Sequence, residues 1–159
     1  MSKRALLRIL RALSILSCAF LLQSCCLFSV RPPVYEPVTL ANGLVLQDLV
    51  VPEIGAPIRN GDLVTIDYVM DLEDGTRVDS TLKNGRPIRF EVAGGQVPAG
   101  LDMGILGMKL FGSRRMILPP ELGYGELGRP PRIPPDATLT LEVEVMKLEA
   151  ANAEVDGLD

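Results

Sequence analysis

The sequence predicts an α+β domain in which an antiparallel β-sheet of about five strands wraps around one short α-helix. Residues 64–72 and residues 139–145 alternate between apolar and polar side chains, as half-buried strands do. Residues 100–108 change to the helical period, with Leu101, Ile105 and Met108 on one face. A run of strands around a single short helix is typical of the α+β class.

The other predicted strands are shorter and end at turn residues. Asp74-Gly75 is a dipeptide typical of tight hairpins and joins residues 64–72 to a returning strand. The predicted strands cover residues 38–51 (a pair split at Asn42-Gly43), 64–72, 76–80, 88–92, 114–118 and 139–145. In the last strand one face is expected to be buried, and its members are Leu139, Leu141, Val143 and Val145.

The predicted helix contains residues that form helices poorly. Gly104 and Gly107 each weaken it by roughly 1 kcal/mol relative to alanine. We therefore expect packing inside the curved sheet to hold the helix, with Leu101, Ile105 and Met108 in the core.

The first 24 residues differ in kind from the rest and predict a lipoprotein signal peptide. A basic front without acidic residues precedes an apolar run over residues 12–22, which is as long as a signal-peptide core and short for a bilayer span. The run ends in Leu22-Gln23-Ser24-Cys25, which resembles the lipobox of bacterial lipoproteins. In that class the cysteine receives a diacylglyceryl group and becomes the new N-terminus. The alternatives are an ordinary secretory signal and a weaker lipobox ending at Cys18.

This interpretation divides the chain into four parts. They are the signal peptide over residues 1–24, a tether over 25–38, a folded domain over 39–149 and an acidic tail over 150–159. The tether contains Pro32, Pro33 and Pro37, which disfavour regular structure.

Removal of the signal peptide would leave a strongly acidic chain. The full sequence has 16 Lys and Arg against 20 Asp and Glu, and loss of four basic residues leaves 12 against 20, a net charge of −8. This charge argues against nucleic-acid binding, which needs a basic surface, and against adhesion to anionic lipid headgroups. Membrane attachment is therefore expected to depend on a lipid at Cys25.

The residue inventory excludes several kinds of catalysis in the domain. Cys18, Cys25 and Cys26 all precede it, so it has no disulfide, thiolate nucleophile or cysteine metal site. The sequence contains no histidine, which excludes His-based triads and zinc hydrolase motifs. No cofactor and no metal are expected. Any chemistry is non-covalent or depends on carboxylates and tyrosines.

Ordered sequence blocks over residues 39–148 resemble the FKBP-type peptidyl-prolyl isomerases, the macrolide-binding immunophilin class. The blocks are Asp67-Tyr68, Glu73-Asp74-Gly75, Asp79-Ser80, Pro87–Phe90, Val97–Leu101, Met108, Arg114-Arg115, Pro119–Gly125 and Ile133–Leu139. The resemblance implies an FKBP-like antiparallel sheet around one short helix. It also implies rotation of the peptide bond before proline, without a proton shuttle, metal or covalent intermediate.

The resemblance implies a pocket whose residues are partly of family type. Tyr68, Asp79 and Tyr124 would be the catalytic residues, with Tyr124 donating its phenol hydrogen to a carbonyl of the peptide. The implied substrate-binding residues are Val78, Ile88, Val97, Pro98, Leu101, Ile133 and Leu141.

Several of these positions depart from the family pattern. Val78, Ile88 and Leu141 stand where the family usually has aromatic residues, and Leu101 stands at the floor position where strong macrolide binders have tryptophan. Pro98 replaces a residue whose backbone N–H serves as a donor. A pocket with fewer aromatic walls is wider and softer, which predicts weak isomerase activity and poor macrolide binding.

Simpler interpretations stay open for individual residues. Tyr68 lies on the apolar face of a strand and would suit a core position, while Asp79 follows a hairpin and would suit a solvated turn. Tyr124 lies between two glycines, where no periodicity predicts burial. Arg114 and Arg115 are expected at a solvated strand edge.

Two hypotheses of function follow. The first is a monomeric, lipid-anchored isomerase in the cell envelope that binds proline-containing segments of exported proteins. In a host with two membranes it would lie on the periplasmic side, and an outer-membrane address is one of its expected locations. Cys26 after the anchor is not the aspartate associated with inner-membrane retention. The second hypothesis is an FKBP-fold chaperone or partner-binding module with little or no isomerase activity.

Overall fold

The computed structural model describes residues 35–151. The predicted signal peptide, Cys25, most of the tether and residues 152–159 lie outside the described residues. Within residues 35–151 no helix is long and apolar enough to cross a membrane.

The described residues form one antiparallel sheet with two short helices. The strands are β1 (Val38–Thr39), β2 (Val45–Val50), β3 (Leu63–Leu72), β4 (Arg77–Ser80), β5 (Ile88–Glu91), β6 (Ser113–Leu118) and β7 (Leu139–Glu149). The helices are α1 (Thr81–Asn84) and α2 (Ala99–Gly104), and 3-10 turns cover Pro120–Leu122 and Gly125–Leu127. The strand order is β1-β2-β6-β7-β3-β4, and β5 also pairs with β3.

Each of the seven segments that the sequence predicts as strands is a strand in the structure, so the sheet is larger than the expected five strands. The structure also adds α1, which overlaps residues 83–87 that were predicted to be irregular. Strand β1 has only two residues and α1 only four, lengths at which periodicity carries little signal. Strand β7 continues to Glu149 because its last residues pair with Leu63–Thr65 of β3.

The buried face of β7 forms the centre of the core. Leu139, Leu141, Val143 and Val145 are at most 1% exposed, as their alternation predicts. Leu101, Ile105 and Met108 are also buried, which confirms the predicted core face of the helical segment. Only the first part of this segment is helical, since α2 ends at Gly104.

Close packing explains the glycines of α2. A Cβ atom at Gly104 would lie 2.5 Å from Met116 Sδ, and one at Gly100 would lie 2.7 Å from Leu118 Cδ2. Gly107 has a φ of +77°, which ends the helical segment in a conformation that favours glycine. Gly100 and Gly104 therefore lower the helix propensity of α2, but their lack of a side chain allows α2 to approach β6 closely.

Arg114 corrects the prediction of a solvated strand edge. Its strand, β6, lies between β2 and β7, and its side chain is 11% exposed. The guanidinium donates from Nε to Asp48 Oδ1 at 2.6 Å and from Nη1 to the carbonyls of Gly104 at 2.7 Å and Leu106 at 3.1 Å. Arg114 thus joins β2, β6 and the C-terminal end of α2.

Arg115 has the exposure that the sequence predicts. Its side chain is 45% exposed and pairs with Glu142 on β7, which is itself 48% exposed. The two neighbouring arginines thus point to different surroundings from the same strand.

We expect Arg114→Met to lower the free energy of unfolding by about 2–3 kcal/mol, because it leaves partly buried Asp48 and two carbonyls without their charged donor. The matched variant Arg115→Met removes an exposed ion pair and is expected to cost less than about 1 kcal/mol. Chemical denaturation measures both values. Equal losses for the two variants would contradict the structural role given to Arg114.

Candidate active site

The candidate site lies where two strands share one edge of β3. Residues Leu63–Ile66 pair with β5, and residues Val69–Asp71 pair with β4, so Tyr68 falls between the two ladders. The Tyr68 amide donates instead to Thr81 Oγ1 at 2.8 Å, and the Thr81 hydroxyl donates to Asp67 Oδ1 at 2.7 Å. Thr81 is buried and begins α1, so a single side chain fills the gap between β4 and β5.

A short hydrogen bond joins the two predicted catalytic residues of this edge. Tyr68 Oη donates to Asp79 Oδ2 at 2.6 Å, and the Ser80 amide donates to Asp79 Oδ1 at 2.9 Å. Asp79 lies on β4 opposite Met70, two residues along β3 from Tyr68. Both carboxylate oxygens therefore have a fixed donor, and the phenol has a fixed acceptor.

The environment keeps the Tyr68 phenol protonated. Burial raises its pKa well above the ordinary value, and the hydrogen bond to Asp79 and the charge of that carboxylate raise it further. The positive charge of Arg129 lowers the Tyr68 pKa, but by less than burial and Asp79 raise it. Tyr68 is therefore a neutral hydrogen-bond donor over the whole physiological range of pH.

A cavity of about 260 Å³ opens beside Asp79. Its lining residues are Met70, Val78, Asp79, Tyr124, Arg129, Pro130, Pro131, Arg132 and Ile133. Tyr124 lies between the two 3-10 turns, and the guanidinium carbon of Arg129 lies 5.9 Å from the centre of its ring. Among residues 35–151 no hydrogen bond engages the Tyr124 phenol, so that part of the chain leaves its donor free for a ligand.

The loop that carries Arg129 and Arg132 closes through its backbone. Arg129 and Ile133 form an isolated antiparallel bridge, with the Arg129 amide 2.8 Å from the Ile133 carbonyl oxygen. Gly128 has a φ of +58°, and a Cβ atom there would lie 2.5 Å from the carbonyl oxygens of Ile133 and Pro134. Only glycine fits at this position, which holds Ile133 in its buried place at the cavity.

Two further depressions adjoin the cavity, and Asp79 lines all three. The first, of about 410 Å³, is lined by Tyr68, Asp79, Ser80, Thr81, Asn84, Arg86 and Ile88. The second, of about 560 Å³, is lined by Thr76–Ser80, Lys83, Asn84, Pro131 and Arg132. The second is the largest, but it lacks both Tyr68 and Tyr124, so we assign the candidate site to the other two.

The structure brings six of the predicted site residues together around these depressions. They are Tyr68, Val78, Asp79, Ile88, Tyr124 and Ile133. Val97 and Pro98 are half-buried and line none of the three, while Leu101 and Leu141 are at most 2% exposed. Leu141 pairs across strands with Met70, which does line the cavity. Contact of these four residues with a peptide stays a prediction.

Several residues of the depressions were not predicted from the sequence. They include Met70, Thr81, Arg86, Arg129 and Arg132. Met70 follows the alternation of β3, so its burial is readable from the sequence, although its place at the cavity is not. The four others lie in α1 or in loops, where position depends on long-range contacts.

The described residues show no metal-binding arrangement. No group of three or more His, Cys, Asp or Glu within residues 35–151 is placed to hold a metal ion. All fully buried side-chain nitrogen and oxygen atoms in this part of the chain have hydrogen-bond partners.

The fold and the site together define an FKBP-like α+β protein. The chain is similar to the crystal structure of AtFKBP13, with a TM-score of 0.66 and 32% sequence identity over 72% of this chain and 99% of that one. This similarity confirms the predicted fold class. A family model described as FKBP-type peptidyl-prolyl cis-trans isomerase matches residues 55–146, more than half of the chain. The chain belongs to this family.

Curated relatives agree with the family. Peptidyl-prolyl cis-trans isomerase FKBP2 of Mus musculus is 48% identical over 91 residues, which are 57% of this chain and 65% of that protein. An FK506-binding protein of Neisseria meningitidis serogroup C is 41% identical over 107 residues, which are 67% of this chain and 97% of that protein. The matched region thus spans somewhat less than two thirds of the mouse relative.

The raised pKa of Tyr68 predicts a loss of stability in alkali. Above about pH 10 a tyrosine of the unfolded chain releases its proton, whereas folded Tyr68 keeps it. The stabilisation from this group is therefore complete below about pH 10 and is lost as the pH rises. The free energy of unfolding should fall more steeply there in the wild type than in Tyr68→Phe. A difference titration of phenolate absorbance with a midpoint near 10, the ordinary pKa, would contradict this assignment.

Proposed function

We propose that this domain is a weak peptidyl-prolyl cis-trans isomerase that acts on proline-containing segments of exported proteins. The observation that carries the proposal is the hydrogen-bonded pair Tyr68–Asp79 beside a cavity lined by Tyr124, whose phenol makes no hydrogen bond within residues 35–151. Membership of the isomerase family supports it.

The reaction needs a site that binds the twisted peptide bond better than the planar one. Rotation about the bond before proline has a barrier of about 20 kcal/mol, because the planar amide is stabilised by resonance. The twisted amide is less polar, so it loses less on leaving water for an apolar cavity. A cavity shaped for the twisted form therefore lowers the barrier by differential binding.

The described contacts give each polar residue a separate role. Tyr124 donates to a carbonyl oxygen of the bound peptide and fixes its position. Asp79, held by Tyr68 and by the Ser80 amide, presents a fixed negative charge to the polar atoms of the rotating bond. Tyr68 holds Asp79 and does not transfer a proton, since its pKa is raised far above neutrality.

The lining of the depressions supports weak rather than strong activity. Tyr68 and Tyr124 are the aromatic residues that line them, while Val78, Ile88 and Ile133 provide aliphatic walls. Aromatic walls give rigid contact area to a proline ring, and aliphatic walls give less. Poor affinity for macrolide ligands follows from the same lining.

The isomerase role is tested by variants of the polar residues. Tyr124→Phe removes one hydrogen-bond donor and should lower kcat/KM for a proline peptide by about threefold to tenfold. Asp79→Leu should lower it by about tenfold or more, because it also removes a charge. Tyr35→Phe is the matched control, since Tyr35 lines none of the depressions and should keep the wild-type rate. A peptide assay that follows cis–trans exchange measures all four proteins, and unfolding curves verify their folding.

Equal and negligible rates in the wild type and the variants would contradict catalysis. That result would favour the second function, an FKBP-fold chaperone or partner-binding module. Two features favour this alternative. The depressions have few aromatic lining residues, and Pro98 has no backbone N–H to donate to a ligand. Binding of a proline peptide without acceleration of its isomerisation would identify it.

We further propose that the protein is anchored in the cell envelope by a lipid on Cys25, on the periplasmic side where the host has two membranes. The lipobox-like run that ends at Cys25 supports this, although it lies outside the described residues. The acidic charge of the mature chain supports a lipid anchor over electrostatic attachment. Cys26 is compatible with an outer-membrane location.

The lipid anchor is tested by labelling. Cells that express the protein should incorporate labelled fatty acid into it, and Cys25→Ala should abolish the label because the acceptor thiol is lost. Cys18→Ala is the matched control and should keep the label. Label that persists in Cys25→Ala would show that this cysteine is not the anchor.

A further inference from the structure

Positive charges without a carboxylate partner are concentrated around Asp79. Within residues 35–151, Arg77, Arg89, Arg114, Arg115 and Lys147 form ion pairs with Asp or Glu. The lysines and arginines of the same range that form none are Arg59, Lys83, Arg86, Lys109, Arg129 and Arg132. Three of these six, Arg86, Arg129 and Arg132, line the two depressions of the candidate site, and Lys83 lines the adjoining largest one.

Each depression has at least one of these four cations. Arg129 and Arg132 line the cavity with Tyr124, Arg86 lines the depression with Tyr68, and Lys83 and Arg132 line the largest one. Asp79 is the carboxylate that lines them, and its two oxygens are already engaged by Tyr68 and the Ser80 amide. The positive charge of the rim is therefore not balanced by the residues that line it.

This arrangement contrasts with the charge of the rest of the protein. The chain carries an excess of Asp and Glu, with a net charge of −4. Unpaired cations spread at random over an acidic surface would have acidic neighbours available to pair with, as Arg77 and Arg115 do. The four cations instead come from two segments, residues 83–86 and 129–132, that meet at the depressions.

Two of the cations are positioned by the cavity itself. Arg129 lies over the Tyr124 ring at 5.9 Å, and Arg132 Nη1 lies 3.4 Å from the Val78 carbonyl oxygen. Both belong to the loop closed by the bridge between Arg129 and Ile133. Both guanidinium groups therefore belong to residues that line the cavity proposed to take the proline.

We infer that the site selects segments in which an aspartate or glutamate lies directly before or directly after proline. Lys83, Arg86, Arg129 and Arg132 are then specificity-determining residues of the reaction proposed above, on which this inference rests. Complementary charge raises the rate of encounter and disfavours basic segments. Because all four side chains are exposed, each contact is expected to be worth roughly a twofold to fivefold preference.

The test compares peptides that differ only in charge. The full-length protein in nonionic detergent is given proline peptides with Glu, Gln or Lys directly before proline, and a second set with the same residues after it. We expect kcat/KM to be roughly twofold to fivefold higher for Glu than for Gln in at least one set, and lowest for Lys. The preference should disappear near 1 M salt, where the screening length is about 3 Å.

Matched variants locate the preference. Arg129→Gln combined with Arg132→Gln should lower the Glu-to-Gln ratio, and adding Lys83→Gln and Arg86→Gln should bring it close to one. Arg59→Gln removes an exposed cation that also lacks a carboxylate partner but lines none of the three depressions, so the ratio should stay at its wild-type value. A ratio that is unchanged in the double variant, or lost equally in Arg59→Gln, would overturn the inference.

Binding separates this inference from the proposed catalysis. Fluorescence anisotropy with the same peptides, labelled at one end, gives the charge preference whether or not the protein accelerates isomerisation. Isomerisation without a preference in either measurement overturns the inference and leaves the proposed function intact. Binding that prefers Glu, without acceleration of isomerisation, supports the inference and overturns the proposed catalysis. Co-sedimentation with phosphatidylglycerol vesicles tests whether the four cations bind a membrane surface instead of a peptide. Vesicle binding that the double variant abolishes, together with no peptide preference, would assign these cations to the membrane and overturn the inference.

Discussion

The hydrogen bond from the Tyr68 amide to the Thr81 hydroxyl is the constraint on which the site depends. A backbone N–H in the middle of a sheet needs a partner, and at this point neither β4 nor β5 supplies one. Thr81 meets the requirement from the first turn of α1 and brings Asp67 into the same small network. The break between the two ladders is thereby stabilised, and the depressions open beside it. The site is thus a consequence of how one sheet edge divides between two strands.

The core holds this edge in place from the other side of β3. Strand β3 pairs with β7 over the whole length of β3, from Leu63 to Leu72. One continuous apolar face of β7 is buried. Helix α2 packs closely on β6 because its glycines leave room for Met116 and Leu118. Arg114, whose side chain is largely buried, then joins the end of α2 to the sheet through polar contacts. The edge that carries Asp79 therefore has a rigid support.

The sequence predicts those parts of the protein in which local pattern and burial coincide. The face of β7 and the core position of Ile105 were readable because each residue is buried on the side that its period indicates. Arg114 was misread because its neighbours on β2 and α2 are distant in the sequence, and charge alone suggests solvent. In the site, the family resemblance named Tyr68 and Asp79, which the structure joins by a hydrogen bond. It gave no sign of Thr81 or Arg129, whose positions depend on a short helix and a closed loop.

The requirement for glycine at position 128 has a consequence for how selectivity evolves. Because the backbone of the loop is fixed by Gly128 and by the bridge between Arg129 and Ile133, binding a ligand there orders little main chain and costs little conformational entropy. The side chains at positions 129 and 132 can then change without disturbing the support beneath them. Substitutions at positions 129 and 132 can therefore change the charge beside the cavity while Gly128 keeps the path of the backbone.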